Sequence, residues 1–221
     1  MRTFVAERGR AVARERITAR PTVKRARHVL LWIHVLSSVC WMSQALAMAV
    51  LMLNPGDGGA VAAHVLDTTV LVVSANVSAM SGFLLSATTP WGFFLHWWVL
   101  VKFAITVSQL VVGIAVLSPA LDSAARAREV ASAGLLASTV LMATLIAFQG
   151  WLSIAKPWSR VPRRTRGKAP VPGPVVRVAA PVALLADVGV FVVVGQPIPL
   201  CSAVVLVAAL VGRRSAGTSL S

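Results

Sequence analysis

Two side chains in this sequence sit where their surroundings cannot satisfy them. His34 opens the stretch His34-Val35-Leu36-Ser37-Ser38-Val39-Cys40-Trp41, and Lys102 closes Trp97-Trp98-Val99-Leu100-Val101-Lys102, each inside a long apolar run. A neutral imidazole can ligate a metal or accept a proton. A lysine ammonium in a low-dielectric site can hold an anion, and placing one there costs about 3 kcal/mol on insertion scales, which makes function the default reading. Each also has a structural reading. Lys102 can snorkel to nearby headgroups, and His34 can be a neutral ring bonded to Ser38 or to a neighbouring helix.

Helical spacing gives both residues company. His34, Ser38, Trp41, Ala45 and Met48 fall on one stripe, with Ser37 and Gln44 beside it, and Lys102, Thr106, Gln109 and Gly113 fall on another. Lipid cannot satisfy a polar stripe, so each should face protein or water. At about 1.5 Å per residue, His34 and Lys102 both lie about 8 to 11 Å into their runs. Gln149 and Ser86 reach a similar level, which predicts a small polar cluster in one half of a helical core. The candidate binding set is His34, Trp41, Lys102, Gln109 and Gln149, with His34 and Lys102 as the candidates for chemistry and His34 as the candidate metal ligand.

Other polar residues read more plainly. Ser74, Ser78, Gly82 and Ser86 form a small-residue stripe that lets backbones approach closely, and it marks its helix as central. Asp187 has no evident partner, and either carries a proton or faces a water-filled crevice. His28 and His96 suit headgroup contacts, and His64 a solvated outer loop. Cys40 and Cys201 read as small apolar residues, with no metal or disulfide spacing. The chain has no nucleophilic triad, phosphate loop, His-Glu-x-x-His or carboxylate pair, so no catalytic signature is in view.

The elements that would position these residues are transmembrane helices. The 221 residues are 57% hydrophobic and only 13% charged, and several runs reach the ~20 residues that a bilayer core demands. The expected fold is all-α: a polytopic transmembrane helical bundle with a four-helix core over about 29–53, 65–87, 95–117 and 130–154. A basic arm (1–28), mobile or surface-lying and interrupted by Pro21, precedes the core. A Pro/Arg-rich linker (156–178), two short transmembrane or re-entrant segments (179–212) and a tail (213–221) follow it.

Charge sets the orientation. The net charge is +14, and of 21 Lys and Arg nine lie in the first 28 residues and seven between Lys156 and Arg177. Basic blocks bordering apolar runs stay in the cytoplasm and attract anionic headgroups. No aromatic-basic pattern points to nucleic acid. The N-terminus, the Thr88–His96 turn, the linker and the C-terminus are therefore expected inside, with six crossings. An excess of Arg over Lys, no Tyr and abundant Ala and Val suit a GC-rich bacterial genome, and hence a bacterial inner membrane.

The stretch His34–Trp41, with Ser81-Gly82-Phe83-Leu84-Leu85 and Thr89-Pro90-Trp91-Gly92-Phe93-Phe94-Leu95-His96-Trp97-Trp98-Val99-Leu100-Val101-Lys102, resembles a group of short, actinobacterial-type four-helix integral membrane proteins of unknown function. The likeness covers about residues 28 to 120. More remotely, His34 with Trp41, and Trp98 with Lys102, are similar to the membrane-type protoporphyrinogen oxidase, which is associated with haem b, and to the membrane domain of copper-resistance protein D. That resemblance implies His34 as a haem ligand or proton acceptor and Lys102 as the partner of a propionate.

The sequence thus sets out three functions. The first is a structural or interaction role in the membrane, with homo-oligomers among its forms. The second is a haem- or porphyrin-linked redox role using His34 and Lys102. The third is transport of a small ion or metal through a crevice lined by Gln44, Gln109 and Gln149.

Overall fold

The computed structural model describes residues 2–54, 58–157, 161 and 171–218, with side chains described from Pro21 to Arg214 within those ranges. The side chains of the arm before Pro21, and most of the Pro/Arg linker including Trp158 and Arg163–Arg166, lie outside the described residues.

The described chain is helical without strands. Its helices are α1 (Arg2–Met52), α2 (Gly59–Leu66), α3 (Val72–Thr88), α4 (Trp97–Val112), α5 (Ser118–Ala127), α6 (Ala133–Ala155), α7 (Pro174–Val194) and α8 (Leu200–Thr218). Five uninterrupted helical stretches are long and apolar enough to cross a membrane: Pro21–Met52, Gly59–Thr88, Trp97–Ala127, Ala133–Ala155 and Pro174–Val194. The all-α membrane bundle expected from the sequence is therefore the fold.

Several boundaries differ from the expected ones. The basic arm is part of α1, which runs through Pro21 with that residue exposed. The second span starts at Gly59, six residues before the expected Val65, and the third continues past Pro119 to Ala127. Both of these long helices contain a wider, π-helical turn, Asp67–Leu71 between α2 and α3 and Gly113–Leu117 between α4 and α5. The second explains why Pro119 does not end its helix. A proline lacks the N–H donor and crowds the preceding turn, and the widened turn just before it relieves that crowding. Near the first, the hydroxyls of Thr68 and Thr69 capture the carbonyls of His64 and Val65 at 3.0 and 2.6 Å, a bond that bends helices. Finally, α7 is 21 residues long, longer than expected, because Pro174 serves as its first residue, where a missing donor costs nothing.

The centre of the bundle is shared. α3 was expected there, and it packs on α1, α4, α7 and α8, while α1 touches α2, α3, α6 and α7. Three apolar layers stack along this pair. Leu30, Met80, Leu84, Ala180 and Leu184 form one; Trp41, Ala75 and Ile146 the next; Met48, Met52, Ala63, Leu121 and Leu135 the third. At the first layer α7 and α8 join, and at the third they are replaced by α2, α5 and α6.

Candidate functional site: two polar ladders and a cavity

The stripe residues do not meet in a single cluster. They form two ladders, each between one pair of helices. In the first, His34 Nδ1 lies 3.0 Å from both the Ser78 carbonyl and Ser81 Oγ on α3. A carbonyl only accepts, so Nδ1 carries the proton and Nε2 is the acceptor of the neutral ring. Ser38 Oγ donates to the His34 carbonyl at 2.7 Å and meets Ser78 Oγ at 2.7 Å. The small-residue stripe of α3 therefore does two jobs: it admits α1 closely and supplies hydroxyls. Gly82 makes room for the imidazole, since a Cβ there would stand 3.1 Å from His34 Cε1.

The second ladder joins α4 to α6. Lys102 Nζ donates to Ser153 Oγ at 2.6 Å, and Ser153 donates to the Gln149 carbonyl at 3.0 Å. Thr106 donates to Gln149 Oε1 at 2.8 Å, Gln149 Nε2 to Gln109 Oε1 at 2.7 Å, and Gln109 Nε2 to the Met142 carbonyl at 2.9 Å. Lys102 thus ends on a neighbouring helix.

Beyond the ladders the helices part around a cavity of about 440 Å³. Both π-helical turns border it, as do Trp41 of α1, Asn76 of α3, Gln109 of α4 and Thr139 of α6. Gly195, Gln196 and Pro197, from the turn between α7 and α8, complete the wall. Of the candidate set, Trp41 and Gln109 line the cavity, whereas His34, Lys102 and Gln149 do not. The crevice expected from Gln44, Gln109 and Gln149 therefore has only Gln109. Among the described residues, Gln44 Oε1 is buried with no hydrogen-bond partner.

No family model, curated protein or solved structure matches this chain.

The residue that sequence reasoning missed is Asp67. It is buried, lines the cavity and accepts a 2.6 Å hydrogen bond from Ser118 across the two π-helical turns. With the span starting at Val65, Asp67 fell at a helix entrance. With α2 beginning at Gly59, it lies more than two turns into the helix. The run Asp67-Thr68-Thr69, polar inside an apolar stretch, was the available signal.

Asp187, whose partner the sequence did not reveal, caps a helix. Its carboxylate accepts the backbone N–H of Cys201 at 2.8 Å and of Ser202 at 2.9 Å, together with the Ser202 hydroxyl. These are first-turn donors of α8, which have no partner within the helix, and a carboxylate there also meets the positive end of the helix dipole. Arg213 does the converse for α3, donating to the carbonyls of Ser86 and Ala87 at 2.6 and 2.8 Å. His64 Nε2 stands 3.6 Å from Asp122, which also pairs with Arg126 on the surface. Among the described residues, no three His, Cys, Asp or Glu side chains gather as a metal site.

Proposed function

We propose that this protein is a multi-pass membrane protein that binds a small, largely apolar molecule between its helices. The cavity is the observation that carries this. At about 440 Å³ it falls in the range of small-molecule sites, with apolar walls and a few polar groups, Asp67, Asn76, Gln109 and Thr139, to orient an occupant. The ladders support a structural role for the stripes, because each stripe residue that forms them already has an interhelical partner. We place the chain in a bacterial inner membrane with both termini and the basic linker in the cytoplasm, on the strength of its Lys/Arg distribution.

The test is a neutral probe and a narrowed cavity. Gly113 lines the cavity, and a Cβ added there would meet nothing within 4 Å. Gly113→Leu should therefore narrow the space without disturbing the fold. In detergent, 1-adamantanol should raise the Tm of the wild type by mass action and raise that of Gly113→Leu less. Equal shifts in both would place the probe elsewhere.

One observation favours a second, haem-linked reading. Metal-bound histidines hold their other ring nitrogen on a carbonyl or carboxylate, as His34 Nδ1 holds Ser78, leaving Nε2 to coordinate. The space fits less well, since Gly82 abuts the ring and the cavity does not reach it. A visible spectrum decides. The cavity reading predicts that protein expressed with excess haem shows no Soret band dependent on His34, and a band lost in His34→Ala would establish the haem reading instead.

A further inference from the structure

The occupant's chemistry can be narrowed from the wall of the cavity, on the reading that the cavity is the binding site. Asp67 is 9% exposed, and its partner is a neutral hydroxyl, that of Ser118. The ion pairs found for the acids of the described residues belong to Asp122, and among the described residues no Lys, Arg or His is paired with Asp67. A buried charge without a counter-ion is costly. The carboxylates of Asp187 and Asp122 are each compensated, by a helix N-terminus in one case and by Arg126 in the other. Asp67 has neither among the described residues, and it lines the large cavity.

The size of the void chooses among cations. An inorganic ion needs a tight shell of several oxygens, whereas this space would hold many waters and is walled by Leu71, Leu110 and Ile114 among others. Trp41 adds an indole, the best of the aromatic rings at attracting a cation. We infer that the cavity takes an organic cation, an amine with a compact apolar body, whose ammonium group pairs with Asp67 while its hydrocarbon fills the space between the two π-helical turns.

Three probes that share one hydrocarbon cage test it: 1-aminoadamantane, 1-adamantanol and 1-adamantanecarboxylate, titrated into the full-length protein in detergent by calorimetry. The wild type should prefer the amine to the alcohol by about tenfold or more, the expected gain from a charge-assisted hydrogen bond, and should bind the carboxylate weakest. Asp67→Asn should bind amine and alcohol alike, and Asp67→Glu should restore the preference. Amine and alcohol bound equally by the wild type, or a preference that survives in Asp67→Asn, overturns the organic-cation assignment and leaves the cavity as an apolar site. Failure of all three probes to bind overturns the cavity reading itself, and this assignment with it. If Asp67→Asn does not accumulate in the membrane, the wild-type ranking alone decides.

Discussion

At the scale of single residues, the buried polar groups of this protein mostly bond across helices. His34 shows why that matters. Its ring is fixed by the Ser78 carbonyl and Ser81 Oγ, and it lies against the bare backbone of Gly82. A methyl group at Gly82 would stand 3.1 Å from Cε1, tighter than ordinary contact, and the ring cannot retreat without losing its hydrogen bonds. Gly82→Ala should therefore destabilise the protein by about 1–3 kcal/mol, the cost of overpacking. In the His34→Ala background the same change should cost almost nothing. A double-mutant cycle read by thermal or detergent-induced unfolding measures the coupling, and additive effects would show that glycine serves something other than the imidazole.

At the scale of elements, the pairing of α4 with α6 rests on polar contacts as much as on apolar ones. In lipid, apolar surface gives little drive for helices to associate, so interhelical hydrogen bonds and close packing carry more of the work. Gln149 is the hinge of that ladder, because it accepts from Thr106 and donates to Gln109. Gln149→Leu removes both bonds and leaves the Gln109 oxygen without its donor. A loss of about 1–3 kcal/mol is expected from two membrane hydrogen bonds and one orphaned acceptor. Adding Gln109→Leu should recover part of it, since the orphan is then removed, and unfolding midpoints of the two variants are the comparison to make. The sequence showed this ladder in part. The spacing of Lys102, Thr106 and Gln109 gave one face of α4, and Gln149 stood at a matching level. Sequence periodicity could not say that His34 and Lys102 would choose different helices, because it gives the face of a helix and not its neighbour. The π-helical turns were hidden for a related reason. Pro119 and the loop before Val65 read as helix ends, and the turns that let the helices run on come from backbone adjustment, which no residue pattern marks. Asp67 was lost with them.

At the scale of the molecule, the contacts of α7 and α8 determine how deep this pair reaches. Pro197, Ile198 and Pro199 share a small gap with Val73 and Asn76 of α3, and α8 then runs alongside α3 until Arg213 meets Ser86 and Ala87. The tip therefore stands level with the start of α3, about 14 residues or ~21 Å short of Gly59, where the α2–α3 rod begins at the other end. A pair that stopped there would cover one half of the core and enter the other only as the wall of the cavity. Breaker residues at Gly195 through Pro199 suit such a tip, since irregular backbone at membrane depth is tolerated where it borders protein or a cavity. Two single-cysteine proteins lacking Cys40 and Cys201 read this directly. A cysteine at Gly58 should react quickly with a membrane-impermeant maleimide from the outer side of the membrane. A cysteine at Gln196 should react at least about tenfold more slowly, as a side chain withdrawn from water at membrane depth, and more slowly again once 1-aminoadamantane fills the cavity beside it. Equal rates at the two positions would mean that the α7–α8 turn reaches the outer surface and that the pair crosses the membrane completely. Slow labelling at Gln196 with fast labelling at Gly58 would instead place the turn at membrane depth, as part of the cavity wall.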